Sequence, residues 1–160
     1  LGPLTNPAGA STQVIGVYAG HLTEMLAEVL RALGSERALV VHGSDGLDEI
    51  TISGETRVTE LHNGEIKNYS VAPEEFGIRR APLAEIRGGD ASENARIILE
   101  VLEGNPGPRR DIVLMNAAAA LVASSKANDF AEGVRLADDS ISSGRAMEKL
   151  RRLIELTGGE

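Results

Sequence analysis

The sequence predicts an α/β fold: a βαβ-containing sheet flanked by helices, with a β-hairpin insertion and a helical C-terminal half. Three observations predict it. Two short β-rich runs, 13–18 and 37–42, enclose a strong helical repeat, Asn63-Gly64 separates two alternating segments, and helical spacing returns after residue 90.

Taken in order, Gln13 to Tyr18 has the composition of a buried strand after a Pro- and Gly-rich opening. Leu22, Met25, Leu26, Val29, Leu30 and Leu33 then recur at helical spacing, and Gly34 stands where a left-handed cap is wanted. Arg37 to His42 is a second apolar strand, so 13–42 reads as strand, helix, strand, most simply parallel with a right-handed crossover. A small acidic loop, Gly43 to Glu49, precedes a brief strand over Ile50 to Ser53. The next segment, Thr56 to Val71, reads as a hairpin about Asn63-Gly64, which suits a type I′ turn because both positions need positive φ. Its register sets Leu61 against Ile66, Glu60 against Lys67 and Val58 against Tyr69, pairs that are apolar or of opposite charge. Pro73 to Gly77 makes at most one helical turn, and 79–89 is a connector.

Asp90 ahead of Glu93 is a capping-box-like start for a helix whose buried stripe is expected at Ala91, Ala95, Ile98 and Leu102. Three more helices follow, from Asp111 to about Ser125, along Phe130, Val134, Ala137 and Ile141, and along Met147, Leu150 and Ile154. No repeat or linker divides the chain, and 160 residues suffice for one sizeable core.

Composition narrows the function. With no Cys, disulfides, thiolate metal sites and a Cys nucleophile are excluded, and an intracellular setting fits. No apolar run is long enough for a membrane helix and no secretory leader is seen, so the chain is expected in the cytoplasm. The net charge of -8 opposes binding to nucleic acid or to anionic membranes, which requires a positive field. The nucleotide-loop, dinucleotide, zinc-protease and serine-hydrolase motifs are all absent.

Among positions able to carry chemistry, Asp48 and Glu49 stand out. They follow a strand in an α/β sheet, and ligands bind beyond the carboxyl ends of such strands. Magnesium takes one or two carboxylates together with water and substrate phosphates, so the pair suits it from an irregular backbone. On spacing alone a solvated acidic loop is the plainer reading. His42 reads as a packed or hydrogen-bonding residue, Gly88-Gly89-Asp90 as a helix cap, and Asn116 as an interhelical hydrogen bond on an apolar helix.

An ordered set of segments adds a resemblance. Leu1-Gly2-Pro3-Leu4-Thr5-Asn6-Pro7, then Val14 to Tyr18, then His42-Gly43 through Gly46-Leu47-Asp48-Glu49, then Gly88-Gly89-Asp90 with Glu93-Asn94-Ala95, then Leu114-Met115-Asn116 with its alanine run, resemble the anthranilate phosphoribosyltransferases of tryptophan biosynthesis over essentially the whole chain. The resemblance implies a nucleoside phosphorylase/phosphoribosyltransferase-like catalytic domain, present in part. It implies transfer of a phosphoribosyl group from phosphoribosyl pyrophosphate to anthranilate, magnesium as the metal, and a homodimeric parent enzyme. It assigns Asp48 and Glu49 to the metal and, from their place in the first segment, Gly2 and Pro3 to the anthranilate path. It also implies that residues 1–160 are part of the large α/β domain, from the C-terminal part of the enzyme. The N-terminal helical domain and the Gly-rich phosphoribosyl pyrophosphate loop would then lie outside the chain. No residue is an evident general base. Two other readings stay open, a pyrimidine nucleoside phosphorylase-like enzyme and a non-catalytic, nucleic-acid-binding relative.

Overall fold

The alternation of β-branched and helical runs is realised as one four-stranded mixed sheet with helices on both faces. The computed structural model describes Leu4 and residues 9–158. Strands β1 (Thr12–Gly16), β2 (Arg37–Gly43), β3 (Thr56–His62) and β4 (Glu65–Val71) lie side by side in chain order. β1 and β2 are parallel, joined through helix α1 (Leu22–Ala32), while β2, β3 and β4 are successively antiparallel. The hairpin pairs Leu61 with Ile66, Glu60 with Lys67 and Val58 with Tyr69, as the alternation requires. Its turn puts Asn63 at φ 51° and Gly64 at φ 82°, the left-handed pair that a type I′ turn demands.

The longer helices that follow are α2 (Ala91–Leu102), α3 (Pro108–Ala123), α4 (Phe130–Ser142) and α5 (Arg145–Thr157). One face of the sheet is covered by α1, through Ala27 and Leu30 against Ile15, Ala38, Val40 and Leu61. The opposite face is covered by α3 and the start of α4, whose Met115, Ala118, Ala119, Val122 and Phe130 pack on Leu39, Val41 and Val58. Because β2 is central and covered on both faces, its apolar residues are all buried, as a near-continuous apolar run predicts.

Four expectations are corrected. Ile50 to Ser53 forms no strand: it is an irregular segment, buried at Ile50, Thr51 and Ile52, whose backbone is held by side chains and by the Ala81 amide, which donates to the Ile52 carbonyl at 3.1 Å, rather than by a ladder. β1 is half-exposed rather than buried, because it is an edge strand among the described residues, and Val14 faces outward. In α1, Leu22, Leu26 and Leu30 face the sheet, but Met25, Val29 and Leu33 are exposed. In α2 the buried stripe is displaced by one position: Ile97 and Val101 pack on Leu114, Ala137 and Ile141, whereas Ala91, Ala95 and Ile98 are exposed and Leu102 is half-buried. α2 carries apolar residues on adjacent flanks, Ile98 and Leu102 on one and Ile97 and Val101 on the other, and only its docking on α3 and α4 chooses between them.

α3 begins at Pro108, a turn earlier than the Asp111 start expected, because a proline at the first helical position gives up no intrahelical hydrogen bond. Two other predicted ends are found where expected. Gly34 adopts φ 85° directly after α1, and the Asp90 carboxylate accepts from the Glu93 amide at the start of α2.

Candidate active-site loop

Parallel pairing of β1 and β2 brings their carboxyl ends, Gly16 and Gly43, to the same edge of the sheet, where the loop to β3 begins. Val17 extends the ladder by donating to the Val41 carbonyl at 3.0 Å. The His42 ring lies with Nδ1 2.8 Å from the Val17 carbonyl; a carbonyl can only accept, so Nδ1 carries the proton and ties the two strand ends together. His42 is thus a hydrogen-bonding residue, as its strand-end position predicts.

The loop is tightly cross-braced by its own residues. Asp45 accepts from the Leu47 amide at 3.0 Å, from the Thr51 hydroxyl at 2.5 Å, and from the Ser53 hydroxyl. Burial of Asp45 by itself would raise its pKa, but these donors outweigh it and hold the carboxyl below the ordinary carboxylate value. Gly43 donates to the Leu47 carbonyl at 2.8 Å, and Thr51 donates from its amide to the Thr56 hydroxyl at 2.9 Å. Asp45 therefore organises the turn, a structural role that its place before Gly46 signals as an Asx-type turn.

Asp48 and Glu49 project from this frame as exposed carboxylates on an irregular backbone. Asp48 is set down directly on β1: a Cβ built on Gly16 would stand 1.5 Å from the Asp48 carbonyl oxygen, so only glycine permits the approach. On the far side, Ile50 is gripped by Asn116 of α3, whose carboxamide accepts from the Ile50 amide at 2.9 Å and donates to the Ile50 carbonyl at 2.8 Å. Asn116 is satisfied, as expected, but by the loop and not by a neighbouring helix. Among the described residues no group of three or more His, Asp or Glu gathers as a cation site. A donor set of two adjacent exposed carboxylates still suits magnesium, which completes its shell with water and phosphate oxygens.

The other expected features resolve simply. Gly89 already donates its amide to the Asn94 side chain at 2.9 Å, so Gly88-Gly89-Asp90 is a braced helix start rather than an anion cradle. Gly2 and Pro3 lie outside the described residues.

Comparison with known proteins agrees with this architecture. The model of the glycosyl transferase family, a/b domain, matches residues 1–147. Anthranilate phosphoribosyltransferase of Citrifermentans bemidjiense is 57% identical over 157 residues, covering 98% of this chain and 45% of that protein. The Methanocorpusculum labreanum enzyme of the same name is 52% identical over 160 residues, which span the whole chain and 47% of that protein. Among solved structures, anthranilate phosphoribosyltransferase of Thermus thermophilus superposes with a TM-score of 0.87 at 42% identity, over 96% of this chain and 45% of that one. The Saccharomyces cerevisiae enzyme in complex with PRPP and Mg gives 0.85 at 32% identity, over 97% and 45% respectively. The chain thus spans about half the length of the relatives it matches. With a family match over nearly all of its length and a sheet and helices that superpose on solved relatives, this chain belongs to the glycosyl transferase family, a/b domain.

Proposed function

We propose that this chain is part of an enzyme that transfers a phosphoribosyl group from phosphoribosyl pyrophosphate to the amine of anthranilate, in tryptophan biosynthesis. The observation that carries the reading is the Asp48–Glu49 loop: two exposed carboxylates, held on a braced backbone at the carboxyl ends of a parallel strand pair, in a chain 57% identical to an enzyme of that name. In the reaction the bond from ribose C1 to the pyrophosphate oxygen breaks, a bond from C1 to the anthranilate nitrogen forms, and the nitrogen loses a proton. An aromatic amine is already nucleophilic, so positioning and leaving-group stabilisation supply most of the acceleration, and no general base from this chain is required.

Asp48 and Glu49 would hold magnesium. Bound there, the ion supplies charge neutralisation for the departing pyrophosphate. The chain's own part is to hold the two carboxylates at one place: Asp45, Gly16 and Asn116 fix the backbone on either side of them. Gly2 and Pro3 belong to the anthranilate path on this reading, and the Gly-rich phosphate loop belongs to the half of the enzyme that this chain does not span. The parent is a cytoplasmic homodimer. Among the described residues no helix is long and apolar enough to cross a membrane.

The test is steady-state kinetics over a magnesium titration in the full-length protein. Replacing Asp48 and Glu49 together by Ala should cut magnesium-dependent turnover by roughly 100-fold, about 2.7 kcal/mol of transition-state stabilisation. An unchanged rate and metal dependence would overturn the reading.

A further inference from the structure

Asp48 and Glu49 are bracketed by a tether on each side. Before them, Leu47 is held through its amide by Asp45 at 3.0 Å and through its carbonyl by Gly43 at 2.8 Å. After them, Ile50 is held through both of its backbone groups by one side chain, Asn116. The first tether is local to the loop. The second comes from the middle of α3, 66 residues further along the chain, and Asn116 also donates to the Ile112 carbonyl of its own helix at 3.0 Å. Three of the four hydrogen bonds that a carboxamide can make are therefore spent, all on backbone, and its orientation is locked.

The helix here is otherwise apolar, with Met115, Ala118 and Ala119 buried against the sheet. A polar residue in that setting is costly unless it is satisfied, and packing alone would be served by another alanine. What Asn116 adds is a fixed direction for the chain as it leaves Glu49.

We propose that Asn116 is a positioning residue. By pairing with both backbone groups of Ile50 it sets where the Asp48 and Glu49 carboxylates stand, and hence how tightly they hold a divalent cation. This rests on the reading of Asp48 and Glu49 as the metal pair. Groups that orient metal ligands without touching the metal typically change metal affinity by about 10- to 100-fold when removed.

The experiment uses the full-length protein and Mn2+ alone, titrated by water-proton relaxation without substrate. Asn116→Ala should weaken Mn2+ binding by about tenfold or more. Under turnover, its loss of rate should be recovered by saturating magnesium, so that the apparent KM for the metal rises while kcat stays within about twofold. Affinity unchanged within about twofold, or a rate loss that magnesium does not recover, overturns the proposal. The Asp48→Ala/Glu49→Ala double variant separates the two levels. If it binds Mn2+ as the wild type does, the metal reading itself fails; if it loses Mn2+ while Asn116→Ala does not, only the role of Asn116 fails. Should Asn116→Ala not fold, amide hydrogen exchange of the wild-type protein decides. Ile50 should be protected in the metal-free protein, and exchange there at the rate of an exposed loop overturns the proposal.

Discussion

At the scale of single residues, the loop is held by groups that cannot be exchanged for similar ones. Gly16→Ala places a methyl group within bonding distance of the Asp48 carbonyl, so the backbone of β1 or of the loop has to move. Loss of metal-dependent turnover is expected, together with destabilisation of about 1–3 kcal/mol, the usual range for overpacking, checked by denaturant unfolding. Asp45 makes a pH-dependent contribution whose sign follows from its lowered pKa. The unfolded chain binds more protons than the native one in that range, so the stability contributed by Asp45 is present above the unfolded value near 3.9 and is lost as pH falls through the folded value. Asp45→Asn should therefore lower the unfolding midpoint clearly at pH 7 and progressively less below about pH 4. A gap that stays constant with pH would show that the carboxylate charge is not what holds the turn. Elsewhere, burial and the neighbouring Glu60 carboxylate push the Tyr69 phenol up, so it stays protonated and donates to Glu60, which also takes Arg37 at 2.8 Å. That cluster lies where the N-terminal end of β2 meets β3 and β4, away from the loop.

At the scale of elements, α3 decides where the site sits. It packs on the sheet with Met115, Ala118 and Ala119 and carries Asn116 to the loop. Its other neighbour, α4, approaches it closely because Gly133 has no side chain: a Cβ there would stand 2.9 Å from the Ala118 Cα. Gly133→Val should force the two helices apart and cost about 1–3 kcal/mol, read as a lowered Tm. If the loop is positioned through α3, the same variant should raise the apparent KM for magnesium as well; a drop in Tm with unchanged metal dependence would show that helix packing and loop geometry are separable. The hairpin offers a control remote from the site's chemistry. Gly64→Ala, at φ 82°, should destabilise the fold by about 1 kcal/mol without altering metal dependence.

At the scale of the whole molecule, the described residues leave much apolar surface in the open. Leu153 is 57% exposed and Leu156 76%, no residue of α5 is buried, and Ile98 and Leu99 of α2 are exposed as well. Exposed apolar surface of this kind promotes association. The isolated chain should therefore self-associate at micromolar concentration, visible by sedimentation velocity, and Leu153→Lys with Leu156→Lys should reduce it. The same chain alone should show no transferase activity with excess magnesium, phosphoribosyl pyrophosphate and anthranilate, followed by anthranilate fluorescence. Its net charge of -8 opposes a polyanionic substrate, which the Asp48 and Glu49 carboxylates could attract only through a bound cation. Turnover within about tenfold of the typical 10 s⁻¹ would place the phosphate site within this chain.

What the sequence determined by itself was local in its physics. Strand alternation, the Asn63-Gly64 turn with its cross-strand pairs, the Asp90 cap and the Gly34 terminus each depend on neighbours within a few residues, and each is found as the pattern requires. The acidic pair was legible for the same reason, since strand, glycine and carboxylates are consecutive. The tertiary structure decided what depends on distant partners. It chose which of two adjacent apolar flanks α2 buries, and it turned Ile50 to Ser53 from a strand into a buried segment held by Asn116 and Thr56. It also showed why residue 16 is glycine. None of these can be read from spacing, because each is set by a contact that exists only once β1, the loop and α3 have been brought together by folding.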